Sequence, residues 1–137
     1  MLLLRFVPNG RWHEDLILEF AGHTFVCDSY YFSLYATQHD PIAGTKRVLR
    51  DSLGQWYDLV ASLHGNAPIY LPYDLSDQCT GWLRCMLVGD EVVQVCQGAS
   101  RLEGHRVALT DLKRHAAEVS DFTACGPGGA CSRCITY

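Results

Sequence analysis

The stretch CTGWLRCMLV, residues 79–88, is followed by Gly89-Asp90 and then by EVVQVCQ, residues 91–97. Two apolar runs rich in branched and aromatic side chains flank a short glycine-containing turn. That is the pattern of a β-hairpin, with Gly89-Asp90 as a two-residue turn. An antiparallel pair in the middle of the chain sets the expectation for its neighbours. Immediately upstream, APIYLPYDLSDQ (residues 67–78) carries Pro68 and Pro72, which limit it to an edge strand between two bends. Nearer the start, LLLRFV ends at Pro8-Asn9-Gly10, LILEF puts Leu16, Leu18 and Phe20 on one face, and TFVCD follows Ala21-Gly22-His23. These three runs predict an antiparallel meander.

One segment breaks the two-residue period. In TKRVLRDSLGQWYDLVASLHG, residues 45–65, Leu49, Leu53, Trp56, Val60 and Leu63 recur at steps of three and four and predict a helix with one apolar stripe. Thr45 is its expected N-cap, Arg47 and Asp51 its i,i+4 pair, and Gly65 its stop. Gly54 inside it costs about 1 kcal/mol relative to alanine, so close packing on the sheet is expected there. Lys46, Arg47 and Arg50 sit at the end disfavoured by the helix dipole and read as a solvated face, with an anion site as the alternative. YYFSLYA (residues 30–36) predicts one or two helical turns whose rings cap the sheet, with an aromatic patch exposed for a partner as the alternative. HRVALTDLKRHAAEV (residues 105–119) is compatible with a strand passing into a short helix at Thr110. The expected architecture is α+β: a mostly antiparallel sheet of about five or six strands packed on one main helix. Residues 1–122 form a single globular domain and residues 123–137 a flexible Cys/Gly-rich tail, because hydrophobic patterning stops near Thr123.

Composition narrows the function. The 137 residues are 48% hydrophobic and 19% charged, as in a globular domain. Eleven basic against fifteen acidic residues give a net charge of −4, which disfavours a general nucleic-acid binder and suits a basic protein partner. MLLLR is too short for a signal-peptide core, and no run reaches the ~18 apolar residues of a membrane span, so the chain reads as cytoplasmic, with no membrane partner.

The seven cysteines are an odd set. Cys27, Cys79, Cys85 and Cys96 lie in or beside apolar runs and read as small buried hydrophobes in a reducing compartment. Cys125, Cys131 and Cys134 offer one CxxC pair and a third thiol, half of a zinc signature, for which His115 or His105 would have to supply the fourth ligand. Redox chemistry is not expected, since no helix follows the CxxC to lower a thiol pKa. CITY is not a lipidation box, since Thr136 is not aliphatic and Tyr137 is not a usual last residue. His13-Glu14-Asp15 reads as a solvated turn. No GxSxG, HExxH, P-loop or GxGxxG is present, and no catalytic residue, metal ligand or cofactor is assigned.

Four pieces, LPYDLSDQCTGWLR, the hairpin, CQGASRLEGHRVALTDL and VSDF, lie in order between Leu71 and Phe122. Together they resemble the small immunity proteins encoded beside polymorphic toxins, including those of contact-dependent growth inhibition systems. The resemblance covers about 50 residues and rests on order and composition. It implies a cytoplasmic protein without enzymatic activity that binds a cognate toxin domain, often a nuclease, and blocks its active site. The expected contact residues are the acidic turns with a nearby aromatic: Asp74, Asp77, Asp90, Glu91, Glu103 and Trp82. The alternative is a small Cys/His metal-binding protein or enzyme centred on the tail and His115.

Overall fold

The computed structural model describes residues 1–36, 39–125 and 134–136, with residues 116, 117 and 134–136 described by their backbone alone. Strands β1 (Leu2–Phe6), β2 (Leu16–Phe20) and β3 (His23–Cys27) form an antiparallel meander in the order β1-β2-β3. A short helix α1 (Tyr30–Ser33) and the long helix α2 (Pro41–Ala61) lead into a second antiparallel sheet. Its path is β4 (Ile69–Leu75), β5 (Thr80–Val88), β6 (Val92–Ser100) and β7 (Thr123–Ala124), and β8 (Cys134–Thr136) also pairs with β6. The class is therefore α+β, but the single sheet expected from the sequence is two. Every strand of the first meander pairs within it, and the two helices intervene before β4 begins.

Both sheets and α2 contribute to one core. Leu16, Leu18 and Phe20 line the inner face of β2, as their spacing predicts, and join Leu71, Tyr73, Trp82 and Leu83 in the same cluster. Phe25 meets Tyr73 across the two sheets, with ring centroids 6.5 Å apart. β4 is an edge strand, as Pro72 requires, with a register shift between Pro72 and Asp74.

The helix differs from expectation at both ends. Asp40 is the N-cap, its carboxylate accepting from the backbone N–H of Ala43 at 3.1 Å, and Pro41 opens the first turn. Thr45 lies fully buried inside the helix and donates to the carbonyl of Pro41 at 2.7 Å. The helix ends at Ala61, short of Gly65. Its buried line is Thr45, Leu49, Ser52 and Trp56, so the inner stripe is rotated away from Leu53 and Val60, which are 39% and 37% exposed. No other atoms lie within 4 Å of where a Gly54 side chain would start. The close packing expected to offset that glycine is absent.

Three further readings change. Val88 pairs with Val92, so Glu91 belongs to a three-residue turn rather than to the strand. Residues 105–119 form neither strand nor α-helix but two 3-10 segments, Gly104–Arg106 and Leu112–Ala117. Of the four cysteines expected inside, Cys27, Cys85 and Cys96 are buried, whereas Cys79 is exposed in the β4–β5 turn. Cys125 is disulfide-bonded, and its backbone N–H donates to the Gln97 carbonyl at 3.2 Å. The tail expected to be flexible and metal-free spans residues 123–137; Thr123–Ala124 and Cys134–Thr136 pair with β6, and residues 126–133 and 137 lie outside the described residues.

Candidate functional site

The turn joining β4 to β5 collects most of the chemistry. Gly104 donates its backbone N–H to the Ser76 carbonyl at 2.7 Å. A Cβ at that glycine would lie 2.8 Å from the same oxygen, so the approach needs glycine. This holds the 103–104 backbone against Ser76. From the other side, Tyr31 of α1 donates its hydroxyl to the Asp77 carboxylate. That bond, helped by burial, pushes the Tyr31 phenol up to about 12.

The loop between β1 and β2 completes this end. His13 Nδ1 lies 3.1 Å from Asp28 Oδ2, and the backbone N–H of Glu14 donates to Asp28 Oδ1 at 2.8 Å. The His13 ring stacks on Tyr30, 5.7 Å between centroids and 10° from parallel. Trp12 and Glu14 hold left-handed backbone on either side of His13, with φ of 64° and 54°. Partial burial acts to raise the Asp28 carboxyl. The Glu14 and His13 contacts outweigh it and hold the group below its ordinary value. Asp74 moves the other way, raised chiefly by burial and also by the nearby Asp28 charge, against a stabilising hydrogen bond from the Asp28 backbone. Burial, with Asp74 and Asp28 adding, also raises the Cys27 thiol, which is therefore no thiolate nucleophile.

His13, Asp28, Tyr30, Tyr31, Leu34 and Asp77 line an open groove of about 540 Å³. The arrangement sets carboxylates and exposed aromatic edges side by side at the surface. Asp15 underlies it: this carboxylate is 1% exposed and accepts from the backbone N–H and hydroxyl of Ser29 at 2.9 and 2.7 Å, fixing the entry to α1. His13 and Glu14 are thus exposed, as a solvated turn requires, and Asp15 alone departs from that reading by being buried.

Of the residues expected to contact a partner, three stand at this end of the sheet: Asp77 lines the groove, Asp74 is half-buried against Asp28, and Glu103 precedes the Gly104 bonded to Ser76. Asp90 and Glu91 do not: the nine residues of β5, at about 3.3 Å each, carry their turn to the opposite end of the sheet. Trp82 is fully buried and donates from Nε1 to Ser100 Oγ at 2.8 Å, so it is a core residue with no surface to offer a partner. Sequence reasoning missed Asp28 and His13, and held Tyr30 only as part of an alternative aromatic patch. Their signal was an aromatic run directly after Asp28-Ser29, and a left-handed turn before His13 that only three dimensions bring back to it.

His115 is also spoken for. It is fully buried, its Nε2 accepts the backbone N–H of Ala108 at 2.7 Å, and its Nδ1 donates to Glu118 Oε2 at 3.0 Å. Both nitrogens are engaged, so it is not the fourth zinc ligand considered for the tail. Among the described residues no three His, Cys, Asp or Glu side chains converge to hold a metal, and no helix is long and apolar enough to cross a membrane. Comparison with protein-family models, with curated proteins and with solved structures finds no match to this chain.

Proposed function

We propose that the protein is a cytoplasmic immunity-type protein that binds a cognate toxin domain and performs no chemistry on it. The observation that carries this reading is the groove at the β4–β5 end. There Asp28 and Asp77 line the groove beside the stacked rings of Tyr30 and His13, and Glu103 directly precedes the Gly104 that bonds Ser76 in its wall. A nuclease toxin presents a basic groove to phosphate. Carboxylates offered to that groove speed encounter, and a few aromatic anchors slow release. Tyr30, 41% exposed, is the anchor.

The test is capture of the partner from the native cells with tagged protein, followed by association kinetics with the captured domain. Asp77→Lys with Glu103→Lys slows association, more at low salt, and Tyr30→Ala speeds dissociation. Wild-type rates in both variants rule out this face. Failure to capture any protein, together with turnover of a small substrate by the purified chain, rules out the role.

A further inference from the structure

A second surface of different chemistry lies on strand β1. Strand β1 pairs only with β2, so among the described residues its outer edge has no partner. Leu2, Leu3, Leu4, Arg5 and Phe6 contain no proline, lysine or bulge, the devices that ordinarily protect an edge. Its single charge is turned to its own sheet, Arg5 pairing with Glu19 at 3.3 Å. Leu2 and Leu3 are each 41% exposed. Beside this edge runs a groove of about 310 Å³ floored by Leu4, Phe6, Leu49 and Leu53.

Lys46 and Arg50 of α2 stand on its wall, and neither has a carboxylate within 4 Å among the described residues. Leu4 and Phe6 face the groove, so a strand added beside β1 would turn every second side chain towards Leu53 and the two cations.

We propose that the β1 edge is a docking site for an extended, acidic segment of a partner protein. The segment pairs its backbone with β1, seats apolar side chains on Leu4, Phe6 and Leu53, and sets carboxylates against Lys46 and Arg50. Backbone pairing supplies affinity, and the two unpaired cations select the charge. A basic segment would meet like charge at both positions. This surface is independent of the acidic groove, and either assignment can fail alone.

The experiment uses two fluorescent nine-residue peptides, one alternating glutamate with valine and one alternating lysine with valine, titrated by anisotropy against the full chain. The acidic peptide is expected to bind about tenfold more tightly than the basic one. Lys46→Glu with Arg50→Glu is expected to reverse that preference while circular dichroism and the urea midpoint stay at wild-type values. Should that pair disturb folding, Lys46→Gln and Arg50→Gln singly carry the test, each reducing the preference. N-methylation of alternate peptide amides is expected to abolish binding. Equal binding of the two peptides, no binding by either, or undiminished binding of the N-methylated peptide overturns the proposal. So does a wild-type dimer, seen by sedimentation without peptide, that Leu3→Lys dissociates: the edge then belongs to a second copy.

Discussion

Gly98, near the end of β6, gives a sharp test of how the C-terminal segment is held. A methyl group built there lies 2.3 Å from the carbonyl oxygen of Thr123, and 2.5 and 2.7 Å from two ring atoms of Phe122. Real contacts of this kind begin beyond 3 Å, so the 122–124 backbone has to retreat by close to 1 Å. That retreat breaks the pairing of Gly98 and Ala99 with Ala124 and Thr123, and it lifts Phe122 from Arg84, 4.8 Å from its ring, and from Tyr70. Overpacking of this kind costs about 1–3 kcal/mol. In a chain ending at Asp121 the obstacle is gone, and Gly98→Ala gains about 0.4–1 kcal/mol from a stiffer unfolded chain. The same substitution should thus change sign between backgrounds, a coupling of about 1.5–4 kcal/mol. Urea unfolding of the four proteins, at matched m-values, measures it. An equal effect of Gly98→Ala in both backgrounds would refute the packing of residues 122–124 on β6.

Trp56→Ala should cost about 3–5 kcal/mol and Leu53→Ala less than about 1, since only the first side chain is enclosed. Trp56→Phe should cost far less than Trp56→Ala, because Nε1 has no hydrogen-bond partner among the described residues and its removal sacrifices none. These three denaturation midpoints check the rotated stripe. In alkaline difference spectra two phenols, Tyr31 and Tyr73, should ionise near 12, and Asp77→Asn should return only Tyr31 towards 10. For Tyr31 the folded value lies above the unfolded one. Its contribution to stability is therefore complete below pH 10 and fades as pH climbs through 12. Tyr31→Phe should flatten that part of the alkaline limb.

The elements legible in the sequence were those built from neighbours. The β5–β6 hairpin, the opening meander and the α2 helix each announce themselves by a period maintained over consecutive residues. The helix start was misplaced although Asp40-Pro41 is itself a start signal, because the apolar period begins only at Leu49. The inner stripe was misread because two of its members, Thr45 and Ser52, are polar, and hydrophobic counting passes over them. Trp82 looked like surface for a related reason. Trp82 and Leu83 point to opposite faces of β5, yet both are buried, and His115 lies 6.1 Å from the indole on its side. Sequence shows that a strand has two faces, not which distant segment covers them. The acidic groove was half legible: Asp77 stands in the turn after β4 and Glu103 beside the Gly104 that bonds that turn, but Asp28 and His13 reach it from the other sheet.

The order of the sheets along the chain has a consequence during synthesis. The first meander can close as soon as residue 27 has emerged, since all of its pairings are internal. The surfaces that cover its inner face, α2 and β4, are not complete until residue 75. At ribosomal speeds of about 5–20 residues per second, Leu16, Leu18 and Phe20 stay uncovered for roughly 2–10 s on a finished sheet whose outer strand is also open. In a crowded polysome, neighbouring nascent chains at the same stage are the readiest partners for that surface. Codon choice between residues 28 and 75 should therefore affect the yield of native protein more than codon choice after β6.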